Sequence, residues 1–540
     1  MYTESIGSRK TLGDVDVLYH DGLYHLFHLV LPNHDFIAHA VSEDGFSWYR
    51  VANALFLGHP GCWDDSMLWT MHVSPDPHRP GSWRMFYTGL SRGDRGLKQR
   101  IGMAVSDDLY RWTKVSVSWR DHRRAPSGLS ADHQGCQAKY DAGSSFPLQP
   151  EPPHYEHSLD SPRKWVSWRD PFYYHEGDRG WLLCAGRIDE GPFVRRGCVA
   201  LMEETAPNHF EQRPPLFHPG LYDDIEVPNL FRLEGEYYLV GSLREDAKVR
   251  YWHTDHLGAP GEPAGPWRSY YDNVLLARGN YAGRICEDPH GVLIWNFFTP
   301  DINIRTTYNI MPPPKRLLRS SGGLLRAKSF EGFSRRVARA ERPDRLHSLQ
   351  CSVSSSPHAC ELKPSEGHFQ VGSESGFEAY VFPEEVQDFR MRAKLSLRGL
   401  GKCGLVFRID HESRDGYYVS LDLTKGVAQI RAWGTGSQKL GEEMMQFHSL
   451  QAAYWQLEQR GVAHIECLAF GSYLELSVED RVILSLADQT YQRGGLGFYV
   501  ESATMIVSDV TVEHLRRPSQ SDEHLSAGED SPVDGDLAKP

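Results

Sequence analysis

The sequence has no apolar run of the roughly 20 residues that a membrane-spanning helix needs, which excludes an integral helical membrane protein. It also lacks net positive charge. Its 58 basic and 71 acidic residues leave a formal charge of -13, so nucleic acid and anionic membrane are not expected partners. The one basic concentration is Arg335, Arg336, Arg339, Arg342 and Arg345. No stacking aromatics interleave with it, and it reads as a solvated face. The nine cysteines are an odd number with no C-x-x-C pair, so no zinc site is legible. Cys351 and Cys360 could bridge in an oxidising compartment, but free thiols are expected. Residues 1–11 are polar and carry no apolar signal core. A cytoplasmic protein is the expectation.

Helical periodicity is scarce in the first 330 residues, and short apolar runs between turns predict an all-β fold. A compact hydrophobic strand recurs five times: residues 24–28 (YHLFH), 83–89 (WRMFYTG), 181–186 (WLLCAG), 237–241 (YYLVG) and 292–297 (VLIWNF). A second motif follows the first two copies, HAVSEDGFSWY at 39–49 and MAVSDDLYRWT at 103–113. Units of a few hairpin strands cannot bury both faces alone, and stacking them around an axis solves this. Five repeats over residues 1–333 predict a five-bladed β-propeller. Residues 116–164 interrupt the repeat and are rich in Pro, Ser, His and Gly, which marks a long functional or mobile loop. Residues 334–367 read as a polar linker. Alternating strands return over 368–516 and predict a C-terminal β-sandwich. The acidic tail at 517–540 has almost no large apolar residues, and disorder is expected there.

Glycosidic bond hydrolysis needs two carboxyl groups, one to protonate the departing oxygen and one to attack or to activate water. A propeller brings the inner strand of every blade to one axial pocket. Candidate carboxylates should therefore precede the repeat strands of different blades. Asp14 (GDVDV), Asp170 (WRDP) and Glu226 (IEVPN) stand 10, 11 and 11 residues before Tyr24, Trp181 and Tyr237, which predicts comparable depth for all three. Asp16 is a second candidate on the first strand, because residues two apart share a strand face.

Together these motifs resemble glycoside hydrolase family 32, the β-fructosidase and invertase group, with families 43 and 68 as five-bladed relatives. WRDP resembles the family's Arg-Asp-Pro motif, IEVPNLFRL its Glu-Cys-Pro motif, and YTG with QRIGMAVSDDLYRWTK its second-blade signature. The resemblance covers about residues 13–333. It implies Glu226 as general acid/base, Asp14 as nucleophile, Asp170 as transition-state stabiliser and Arg169 as an orienting donor. It implies a disaccharide or oligosaccharide substrate such as sucrose or a fructan, and no metal or organic cofactor. In CWDDS, Trp63, Asp65 and Ser66 fall at the family's substrate-contacting element, and only Ser66 matches the Phe-Ser-Gly-Ser pattern there. For Trp63 and Asp65, packing or turn roles are the alternatives. Trp295 could stack on substrate or fill the core. GDVDV replaces the family's Trp-Met-Asn-Asp-Pro-Asn-Gly and is worded like family 43, whose Asp activates water. An inverting arabinosidase or xylosidase therefore stays open, as does a non-catalytic carbohydrate-binding propeller.

Overall fold

The computed structural model describes residues 1–3, 10–116, 138–140, 144–160, 162–258, 264–299, 309–351, 360–365, 367–434 and 446–518. Five separate, mainly antiparallel sheets form a propeller. Their inner strands are Thr11–His20, Met67–Pro75, Arg169–Glu176, Glu226–Leu233 and Asn280–Asp288. The recurring hydrophobic runs lie on the second strand of each blade: Leu23–Leu31, Trp83–Leu90, Arg179–Arg187, Glu236–Leu243 and Gly291–Phe298. These strands read as continuous apolar runs because both their faces are covered; Trp83–Leu90 is buried at every position.

The second sequence motif is a turn. Ser42 Oγ accepts from Gly45 N at 2.9 Å, and Asp44 Oδ1 accepts from Phe46 N and Ser47 N at 2.7 and 2.8 Å. Ser106 and Asp108 do the same for Leu109, Tyr110 and Arg111. The motif repeats because each turn leaves backbone N–H groups that a short polar side chain can satisfy.

Each blade keeps its own strands, so the ring closes through contacts between blades one and five. Tyr2 N donates to Met311 O at 3.0 Å, Asn309 Nδ2 to Leu12 O at 2.8 Å, and Tyr24 OH to Asp288 Oδ2 at 2.8 Å. Part of the interruption at 116–164 is structural. Ala138–Tyr140 adds a parallel strand to blade two, and Phe146, Leu148 and Tyr155 are buried between blades two and three. Its remaining functional reading, like the tail from 519 onward, falls outside the described residues.

The C-terminal strands form one continuous sheet folded over a core that includes Phe389, Phe407, Tyr417, Leu474 and Phe498. The 21-residue strand Gly495–Leu515 runs through both layers. Three short stretches of the expected linker at 334–367 pair into this sheet. Val337–Glu341 pairs with Gly495–Leu515, and His347–Ser348 and Cys360–Ser365 pair with His368–Val381. Val337–Glu341 shows no strand alternation because Ala338, Arg339 and Ala340 are all exposed at the sheet edge. Cys351 carries a free thiol. Propeller and sandwich share one apolar seam, in which Phe333 contacts Phe46, Phe470 and Tyr473 at ring distances of 5.0, 5.6 and 6.2 Å. Among the described residues no helix is long and apolar enough to cross a membrane.

Candidate active site

Every inner strand is interrupted by a β-bulge near its N-terminal end. The breaks fall between Leu12 and Val15, Trp69 and Met71, Arg169 and Phe172, Glu226 and Asn229, and Tyr281 and Arg284. A bulge releases one or two residues from the ladder and re-aims their side chains. Asp170, Val227 and Ala282 take left-handed conformations there, with φ of 61°, 50° and 50°. Pro171 and Pro228 follow the first two of these, where the missing N–H sacrifices no ladder bond.

The candidate carboxylates gather at these bulges. Thr70 Oγ1 donates to Asp14 Oδ2. Asp170 Oδ2 accepts from Val227 N at 3.1 Å, and Asp170 N donates to Thr88 Oγ1 at 3.1 Å. Glu226, immediately before its bulge, accepts from Arg169 Nη2 at 2.5 Å through Oε1 and from the Tyr281 hydroxyl through Oε2. Arg169 also donates to Asp224 Oδ2 at 3.1 Å and lies 3.5 Å from Asp170 Oδ2. The three carboxylates are thus brought together, with Glu226 one position nearer the strand start than the equal depth expected from spacing.

One step further along the strands lies a closed plug with one residue from each blade: Asp16, His72, Phe172, Asn229 and Arg284. Asp16 Oδ1 bonds His72 Nδ1 at 3.1 Å, and Asp16 Oδ2 accepts from Val73 N at 2.7 Å. His72 stacks on Phe172 at 4.2 Å. Arg284, fully buried, donates to the carbonyls of Pro228, Met71 and Pro171 at 3.1, 3.2 and 2.8 Å and lies 3.7 Å from Asp16. Asn229 Nδ2 bonds the carbonyls of Val227 and Gly283 at 2.8 and 2.7 Å. Asp16 therefore belongs to the plug, whereas Asp14 stands two residues earlier, at the bulge.

Electrostatics separate the groups further. Burial pushes the Asp14 carboxyl up to about 7, helped by the charges of Asp170 and Glu226, while the Thr70 hydroxyl and Arg284 pull it back. Burial also raises Asp170, although Arg169 opposes it. Burial works against ionised Asp224, but Arg169 and Arg163 more than compensate and hold it low. Burial and the Glu226 charge push the Tyr281 phenol far up, so its hydroxyl stays a donor.

The remaining expected residues divide. Arg169 bonds Glu226 and Asp224 and lies beside Asp170. Ser66 N donates to Leu90 O at 2.9 Å, and the residue stays partly exposed. Asp65 does not present a free carboxylate. It is buried and accepts from Gly61 N and Arg92 N, both at 2.8 Å, so it organises its loop. Trp63 stacks on Tyr87 at 5.6 Å and covers Gly89 and Gly102, where an added Cβ would meet its ring at 2.4 and 2.5 Å. Trp295 is a core residue. It has 0% exposure and sits against Tyr24 and Trp48, both at 5.6 Å, so it stacks on protein. In the sandwich, Tyr417 is likewise core, its hydroxyl donating to Asp488 at 2.5 Å. Sequence reasoning missed Thr70, Tyr281, Asp224 and Arg284. Tyr281 stands 10 or 11 residues before the blade-five repeat strand, the phase of the other candidates, but it is not acidic.

This fold, a five-bladed propeller joined to a C-terminal sandwich, is the fold of the family-32 β-fructosidases. Three solved structures cover 94% of this chain each: sucrose-6-phosphate hydrolase from Lactobacillus gasseri (TM-score 0.62, 15% identity, 91% of that chain), exo-inulinase from Aspergillus awamori (0.62, 14%, 96%) and the family-32 β-fructofuranosidase of Bombyx mori (0.60, 15%, 92%). No protein-family model matches the chain, and no curated protein matches it in sequence.

Proposed function

We propose that this protein is a glycoside hydrolase that cleaves a terminal β-fructofuranoside, such as sucrose or a fructan, by double displacement. The observation that carries the reading is the convergence of Asp14, Asp170 and Glu226 from three blades onto one axial site. Asp14 attacks the anomeric carbon, and the Thr70 hydroxyl aims it and favours its ionised form. Glu226 protonates the leaving oxygen and later takes the proton of the incoming water. Arg169 and Tyr281 hold the two oxygens of Glu226 in place before substrate arrives. Asp170, fixed by the Val227 amide, faces the positive charge that develops on the sugar ring. Release of fructose from sucrose by purified protein, abolished in Glu226→Gln and Asp14→Asn, is the expected result. A folded protein that hydrolyses no member of a fructoside panel would refute the reading.

An inverting reaction on another glycoside has one observation in its favour. A carboxyl raised to about 7 suits a general base that activates water near neutral pH. The anomer first formed, followed by NMR, separates the two readings, since retention supports double displacement and inversion removes it.

A further inference from the structure

Two short stretches are joined by side-chain bonds beside Glu226. Residues 163–169 lead into the inner strand of blade three, and residues 224–226 lead into that of blade four. Asp224 lies between two arginines of the first stretch. Arg163 grips both of its oxygens, Nη1 donating to Oδ1 at 3.1 Å and Nη2 to Oδ2. Arg169 Nη2 donates to Asp224 Oδ2 at 3.1 Å and also to Glu226 Oε1 at 2.5 Å. The Ser167 hydroxyl donates to Asp224 Oδ1 at 3.3 Å and accepts from Arg163 Nη1 and Arg169 Nη1 at 3.0 and 3.1 Å. Asp224 is 2% exposed, so bulk water does not stand in for these partners. Its neighbour Asp223 turns instead to Arg187. One arginine would satisfy a buried aspartate as an ion pair. Asp224 has two, and the second is the one that holds Glu226.

We infer that Asp224 is a positioning residue for the acid step: it holds Arg169 between two carboxylates and takes a share of its charge, so that Glu226 stays oriented and still carries the proton it must deliver. The inference rests on the glycosidase reading and adds to it a residue that acts through Arg169. In that step the proton of Glu226 passes to the glycosidic oxygen. The bond from that oxygen to the anomeric carbon breaks, and its electron pair stays on the oxygen. A guanidinium bonded to Glu226 alone would favour the ionised carboxylate, which has no proton to give. A second carboxylate on the same guanidinium offsets that charge. Asp224 is suited to the task. Burial works against its ionised form, and Arg169 and Arg163 overcome that effect. Burial likewise opposes the charge of Arg169, and Asp224 leads the three carboxylates that sustain it, ahead of Glu226 and Asp170. Arg163 anchors the arrangement from the far side, which gives a role to the end of the stretch that interrupts the repeat.

Two substrates with different leaving groups test this. The glucose of sucrose needs a proton to depart, whereas 4-nitrophenyl β-fructofuranoside releases a stable phenolate and needs little help from an acid. For both, kcat/KM is measured in the unaltered enzyme, in Asp224→Asn and in Glu226→Gln. Asp224→Asn should lower kcat/KM for sucrose about tenfold to hundredfold, the range of one charge-assisted hydrogen bond, and change that for the nitrophenyl substrate far less. Glu226→Gln should show the same selectivity in stronger form. Asp224→Asn leaves Arg163 and Arg169 with one charge partner fewer, so the double variant Asp224→Asn with Arg163→Gln is measured alongside and should show the same selective loss. No loss, or a loss of the same size on both substrates in both variants, is what a purely structural role gives and would overturn the inference. Glu226→Gln would still separate the substrates, and the glycosidase reading would stand. Hydrolysis of neither substrate by the unaltered enzyme would instead overturn the fructosidase reading itself.

Discussion

Thr70→Val tests the electrostatic design of the site directly. Valine keeps the volume of threonine and removes the hydroxyl that donates to Asp14. Thr70 is 1% exposed, so no bulk water replaces that donor. A hydrogen bond to a charged group is worth about 1.5–3 kcal/mol, and each 1.36 kcal/mol moves a pKa by about one unit. Asp14 already sits at about 7. Losing Thr70 disfavours only its ionised form, so the shift is upward, by roughly one to two units. An ionised nucleophile is required for attack, so activity rises with pH as Asp14 loses its proton. The acid limb of kcat/KM should therefore move from about 7 in the parent enzyme to roughly 8–9 in the variant. The assay is fructose release from sucrose at subsaturating concentration across the pH range, with circular dichroism to check the fold. An acid limb unmoved by Thr70→Val in a folded, active protein would refute the assignment of that limb to Asp14.

Other perturbations follow from the same geometry. Tyr281→Phe removes one of the donors on Glu226 and should lower kcat/KM about tenfold to hundredfold, read by steady-state kinetics. Asp14→Asn should stabilise the protein in a pH-dependent way. A carboxyl raised from 3.8 to about 7 contributes stability below its unfolded value and loses it as pH rises through about 7. The variant's gain in melting temperature should be largest near pH 8 and vanish at acid pH, with at most about 4 kcal/mol involved and less for partial exposure. A gain largest at acid pH would contradict the assignment. Phe333→Ala empties the seam between propeller and sandwich and should cost about 3–5 kcal/mol in unfolding calorimetry. An unchanged melt would mean that the sandwich does not brace the propeller.

The repeat was legible because the second strand of each blade is buried on both faces, and a doubly buried strand writes a continuous apolar word into the sequence. The turn motif was legible for a similar reason, since Ser42 and Asp44 answer a backbone need that recurs at Ser106 and Asp108. Carboxylate positions followed by counting from those words. The choice between Asp14 and Asp16 did not, because a bulge leaves no mark that separates residues two apart. The bulge is visible only as a register break between Leu12 and Val15. The edge strand Val337–Glu341 was read as linker because Ala338, Arg339 and Ala340 are all exposed, which removes the alternation that marks a half-buried strand. Trp295 and Asp65 were ambiguous in principle, since an aromatic ring or an aspartate has the same letter in a core, a turn or a sugar site. Their surroundings decide, and those come from residues distant in the chain.

The site also concentrates what folding disfavours: three neighbouring carboxylates and left-handed conformations at three non-glycine residues. Such features persist only where the surroundings over-determine them. Bulged carbonyls lack ladder donors, and a buried unpaired carbonyl is costly. Arg284 meets both problems with one group. Its guanidinium donates to the carbonyls of Met71, Pro171 and Pro228, bulge or bulge-adjacent residues of three different blades. Its charge also opposes the rise of the Asp14 carboxyl. Placed on blade five and facing Asp16 of blade one, it ties all five blades together beneath the carboxylates. Lysine could supply the charge, but its compact ammonium has three donors and no planar fork to reach three carbonyls. The same arginine that stabilises the bulges therefore favours the ionised state of the residue assigned to attack the sugar.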